Sequence, residues 1–135
     1  MPDVERLFAG HSTVGRWTLA QILNHLANSI QYSIGGFPGR TTPWIVQVTF
    51  RKAARWSMLK RGAIPEGAPL PRGFVPQSDL NAAVEAEALR EAIAAFERCE
   101  SPVPHPFIGA MLKEDWRTFH CVHCGHHLSF AVAAE

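Results

Sequence analysis

Residues 116–130 read Trp116-Arg117-Thr118-Phe119-His120-Cys121-Val122-His123-Cys124-Gly125-His126-His127-Leu128-Ser129-Phe130, and the spacing of their large side chains decides the fold. At about 100° per residue, Trp116, Phe119, His120, His123, His127 and Phe130 fall on one stripe of a helix. That is the stripe a helical bundle would bury. Glu114 and Asp115 suit a first turn, where the helix dipole welcomes negative charge. A last helix is therefore expected from about Lys113 to Ala133. Histidines stand on this stripe where apolar residues would ordinarily sit. Burying several imidazoles without partners is costly, and several charged ones repel each other. A shared cation removes that cost, and so does a hydrogen-bonded polar core without metal; both readings fit the pattern.

Geometry narrows the choice of ligands. His123 and His127 are one turn apart, about 6 Å in rise, so both rings can face one ion. His120 with His123 is the second choice. His120 and His127 are roughly 10.5 Å apart along the axis, and His126 lies about 80° off the stripe. Two ligands rarely hold a metal, so a third must come from another helix.

The other helices emerge from spacing and caps. Thr18-Leu-Ala-Gln21 reads as a capping box, and Leu19, Ile22, Leu23, Leu26 and Ile30 follow helical spacing, so 18–33 is a helix. His25 within it is the chosen third ligand. It lies about 120° from Leu19, on the flank of the apolar face, where periodicity alone predicts a surface or cleft-edge histidine. His11 and His105 are loop competitors that spacing does not exclude. Residues 1–8 make only a short first helix before Gly10-His-Ser-Thr-Val-Gly15 interrupts it. Thr42 to Lys60 is read as helix, with Pro43 in its first turn, although Ile45–Phe50 is rich in β-branched residues. Gly62 to Pro76 is a long Pro/Gly-rich loop, 79–98 is an Ala-rich helix, and Pro102, Pro104 and Pro106 stiffen the next connection. The expectation is an all-α, single-domain bundle spanning 1–135.

Composition excludes several function classes. The chain has 135 residues, 47% of them hydrophobic, with formal charge +1. It can bury a core and carries no overall basic field for nucleic acid. Arg51, Lys52, Arg55, Lys60 and Arg61 form a local positive group that reads as a solvated helix face. No apolar run approaches the ~20 residues of a membrane span. No basic-then-apolar leader opens the sequence. The three cysteines, Cys99, Cys121 and Cys124, do not make a disulfide framework, so a cytoplasmic location is expected. Cys121-Val-His-Cys124 looks like half a zinc ribbon, but a ribbon needs a second pair and only Cys99 remains. The two thiols read as helix-side residues.

A resemblance adds to this. Arg16-Trp17-Thr-Leu-Ala-Gln-Ile-Leu-Asn-His25-Leu-Ala resembles the second helix of the DinB-like metal-binding bundles, which bears one ligand histidine. His123-Cys-Gly-His126-His127 is similar to that superfamily's last-helix motif, HxxHH, whose first and last histidines are ligands. Gly35-Gly-Phe-Pro38, Lys60-Arg-Gly-Ala-Ile-Pro65-Glu-Gly67 and His105-Pro-Phe-Ile-Gly109 extend the likeness over nearly the whole chain, toward a domain-of-unknown-function branch. The resemblance implies a four-helix bundle with His25, His123 and His127 around zinc or nickel. It also implies a small-molecule substrate or a low-molecular-weight thiol as partner, since the superfamily includes thiol-dependent transferases and isomerases. The short first helix departs from the pattern and favours a homodimer in which a second subunit completes the cover. Three functional readings follow: a metal-dependent thiol transferase or hydrolase, a non-catalytic metal or ligand module with a stress or regulatory role, and a zinc-knuckle interaction module. Asn28, Tyr32 and His120 are candidate cleft residues for the first.

Overall fold

The computed structural model describes residues 1–38, 44–64 and 74–134, with backbone alone at residues 44, 46, 47 and 50. Helix α1 (Pro2–Ala9) begins on a proline, which leaves no unpaired N–H there, and turns Val4 and Leu7 inward. After the short strand β1 (His11–Thr13), α2 (Leu19–Gly35) starts on the expected capping box. The Gln21 backbone N–H donates to Thr18 Oγ1 at 3.2 Å, and the Thr18 N–H donates to Gln21 Oε1 at 3.0 Å. Gly36, at φ 104°, ends the helix in a conformation other residues rarely adopt, and its N–H donates to the Tyr32 carbonyl.

Helix α2 is the centre of the molecule. Leu19, Ile22, Leu23, Leu26 and Ile30 are buried along it, and it packs chiefly on α4 (Ala82–Arg98). Asn81 caps α4 by accepting from the N–H groups of Ala83 and Val84, and Leu89, Ala92 and Phe96 complete the shared interface. Helix α3 (Trp44–Arg55) continues into a π-helical turn, Trp56–Lys60. The helical reading therefore holds from Trp44 onward despite the β-branched run, because propensity is a weak prior. Thr42 and Pro43 lie outside the described residues, as does the middle of the Pro/Gly-rich loop, 65–73. Arg55 joins α3 to the start of the last helix, donating to Asp115 Oδ2 at 2.6 Å and to the Ala110 carbonyl at 3.2 Å.

Helix α5 (Lys113–Leu128) carries the histidine stripe but stops earlier than its periodicity predicts. The Ser129 N–H closes onto the Gly125 carbonyl. The chain then forms β2 (Ala131–Ala133), antiparallel to β1 in the register His11–Ala133, Ser12–Val132, Thr13–Ala131. The interrupted segment after α1 offers an unpaired strand edge, and pairing across more than a hundred residues outweighs one more helical turn. As a result Phe130 leaves the stripe and is exposed. The fold is mainly helical, and this small sheet is its departure from an all-α architecture.

Candidate metal centre

The polar residues of α2 and α5 meet as a ladder. His25, Ser29 and Ser33 follow one another every four residues on α2 and face, in reverse order, His127, His123 and His120 on α5. Ser33 Oγ lies 3.1 Å from His120 Nε2, Ser29 Oγ lies 3.2 Å from His123 Nδ1, and His25 Nε2 lies 3.2 Å from His123 Nε2. The two helices are thus antiparallel neighbours. The last rung differs from the others. There three imidazoles crowd together, with ring centroids 4.6 Å apart for His25–His127, 4.7 Å for His123–His127 and 5.1 Å for His25–His123.

One ring nitrogen from each of His25, His123 and His127 lies within 4.8 Å of the others, so the three could hold a metal ion. Two nitrogens on one zinc, each at ~2.1 Å, can be no more than ~4.2 Å apart. His25 Nε2 and His123 Nε2, 3.2 Å apart, are already inside that limit. Proton counting fixes one of the rings. The Phe74 carbonyl, 3.2 Å from His25 Nδ1, can only accept, so Nδ1 carries the hydrogen and Nε2 presents its lone pair to the centre. His123 has two satisfied states. Without an ion, the Ser29 hydroxyl donates to Nδ1 and the Nε2–H donates to His25. With an ion on Nε2, the hydrogen moves to Nδ1 and Ser29 accepts. A serine serves both states because its hydroxyl donates and accepts. His127 is held by Trp17, whose ring stacks on it at 5.7 Å with planes 16° apart.

The electrostatics favour neutral rings. Burial lowers the His25 pKa below the ordinary imidazole value, against the opposing pull of the Phe74 carbonyl. Burial, followed by the neighbouring histidines, pushes His123 well below that value. Burial together with His25 and His126 takes His127 down to about 3. Neutral imidazole is the form that coordinates.

His25 is buried, not at a cleft edge as its place on the wheel predicts. The reason is that α2 is the central helix and is covered beyond its apolar stripe. The other candidates go elsewhere. His120 is buried against Ser33, Trp116 and Phe96, one rung removed from the centre. His105 is buried too, and its Nδ1 accepts from the N–H groups of Phe107 and Ile108, shaping the 105–109 turn. His11 Nδ1 donates to the Leu7 carbonyl at 2.9 Å. His126 stands edge-on to His127 and Phe130. Asn28 Nδ2 donates to Asn24, which donates in turn to Glu85 on α4, while Tyr32 packs on Phe37 and Phe74. All three cysteines are free. Cys121 is exposed, and burial with Cys121 nearby pushes the Cys124 thiol up to about 11.

Two functional partners escaped the reading of the sequence. Ser29 had a signal, since it stands one turn after His25 on the same face. The Phe74 carbonyl had none, because any residue supplies a carbonyl. No curated protein and no solved structure matches the chain. The model of a family described as protein of unknown function, DUF1569, does match, over residues 3–134, and the chain belongs to that family.

Proposed function

We propose that the protein is a divalent-metal protein of the DinB-like kind, built as a variant four-helix bundle, in which His25, His123 and His127 hold zinc or nickel. The observation that carries this reading is the meeting of three imidazoles from two helices, with ligand atoms within 4.8 Å of one another. Three histidines leave coordination positions open, the arrangement of catalytic rather than structural sites. A metal with an open position lowers the pKa of bound water or thiol and supplies a nucleophile near neutral pH. The chain's own part is orientation: Phe74 fixes the His25 tautomer, Ser29 accepts the displaced His123 hydrogen, and Trp17 steadies His127. The activity that fits is thiol transfer or hydrolysis on a small molecule, with a low-molecular-weight thiol as the expected partner, in a cytoplasmic homodimer.

The second reading is a non-catalytic metal or ligand module. It is favoured by the engagement of Asn28 and Tyr32 in other contacts, which leaves no assigned acid or base beside the rings. The zinc-knuckle reading ranks third, since the exposed Cys121 and half-buried Cys124 share one helix with no second pair among the described residues. Elemental analysis of purified wild type and His127→Ala tests the centre. One equivalent of metal in the wild type and none in the variant is expected; equal content in both would refute it. Turnover of thiol–electrophile pairs, esters or amides by the metal-loaded protein then separates the first reading from the second.

A further inference from the structure

Charge is distributed unevenly along the chain. Residues 6–65 carry eight basic side chains and no acidic one, whereas residues 66–135 carry five basic and ten acidic. Such asymmetry between halves points to an anionic partner for the basic half. Five of the eight, Arg51, Lys52, Arg55, Lys60 and Arg61, stand on α3 and its π-helical end. Among the described residues, Arg55 is the one of these five that pairs with a carboxylate, that of Asp115. Arg51, Lys52, Lys60 and Arg61 are exposed.

A basic run by itself is ordinarily a solvated helix face. Solvation does not explain the apolar side chains set between these charges. At about 100° per residue, Ile45, Val48, Lys52 and Trp56 fall within one arc of about 80°. Ile45, Val48 and Trp56 on that arc are 59%, 64% and 56% exposed. Ala54 and Met58, on the opposite side of the helix, pack against the core, so the arc faces away from the bundle. The Arg61 guanidinium lies over the Trp56 ring at 5.3 Å, which keeps a charge beside the largest apolar group. A nucleic acid would engage the charges and leave Ile45 and Val48 in water. An anionic bilayer engages both. Aliphatic side chains enter the boundary between headgroups and acyl chains, tryptophan settles at that boundary, and Lys and Arg reach the phosphates. No described helix is long and apolar enough to cross a membrane, so this mode is contact along the surface.

We propose that the outer face of α3 and its π-helical end docks the protein on an anionic phospholipid bilayer, with Ile45, Val48 and Trp56 entering the interface among Arg51, Lys52, Lys60 and Arg61. This surface does not rest on metal binding. The test is co-sedimentation of the purified protein with vesicles of phosphatidylcholine alone and of phosphatidylcholine with one-third phosphatidylserine. Binding to the anionic vesicles alone is expected, and it should weaken as salt is raised. Lys52→Gln with Lys60→Gln should lower the affinity about 30-fold, roughly fivefold for each charge near the surface. Ile45→Gln with Val48→Gln should lower it by about tenfold or more, because less apolar surface enters the interface. Both variants alter exposed side chains only and should keep the wild-type melting temperature. Absence of binding to anionic vesicles would overturn the proposal, as would equal binding to both kinds of vesicle. Undiminished binding by the folded Ile45→Gln, Val48→Gln variant would also overturn it, since the surface would then recognise charge alone.

Discussion

At one end of the seam between α2 and α5, His25, His123 and His127 turn ring nitrogens toward one another; at the other end, His120 and His105 turn theirs toward a serine and two backbone N–H groups. Burial does not separate the two regions. His25, His120 and His105 are all nearly inaccessible, and in both regions burial is the main cause holding the imidazoles neutral. What separates them is where the lone pairs go. Aromatic neighbours Phe37, Trp116 and Phe119 wrap His105 and make it part of a packed core. The three rings of the other end have mainly each other. A buried histidine is thus a ligand candidate only when its free nitrogen faces other free nitrogens.

The comparison can be broken most sharply by metal content. His25→Ala and His127→Ala should each remove stoichiometric zinc or nickel entirely, whereas His105→Asn should retain it; retention in all three would erase the distinction. Acid is the next largest effect. His105 and His120 have pKa values lowered to about 4 in the folded protein, against about 6.5 when unfolded. Protons therefore bind the unfolded chain more readily. The stability these groups contribute is intact above pH 6.5 and is lost as pH falls toward 4. At pH 5 the loss should be about 2 kcal/mol for each, read from urea midpoints of metal-free protein at pH 7.5 and pH 5. Coincident midpoints would contradict it.

The serine rungs sharpen the contrast further. Ser29→Ala should weaken metal affinity about 10–100-fold, as loss of an outer partner of a ligating histidine does, with little change in melting temperature. Ser33→Ala should leave the affinity alone and destabilise the fold by about 1–3 kcal/mol, because it strands His120 Nε2. Competition with a chromogenic chelator and thermal melts read the two halves, and a reversed pattern would exchange the roles of the rungs. The smallest effect belongs to the start of α2, which sets the axial position of His25. Thr18→Ala should cost about 1 kcal/mol by urea denaturation.

Much of the helical scaffold was legible because its causes are local. The Thr18–Gln21 box, the apolar spacing through Ile30 and the acidic first turn before Trp116 involve residues within four of each other, and each element begins within about three residues of its expected place. The i, i+4 pair His123 and His127 was legible for the same reason. The end of α5 was not, because β1 pairs with residues more than a hundred positions away and periodicity carries no trace of that partner.

The amino-acid order alone determined the main helices, their caps and a histidine stripe that must face inward. Tertiary packing decided which histidines share a space. Placing α2 at the centre buried His25, and antiparallel pairing with α5 brought His25 to His123 and His127 while giving His120 to Ser33. The physical reason is reach: caps and periodicity act within one turn, whereas the surroundings of a ring nitrogen are set by whichever helix lies across from it.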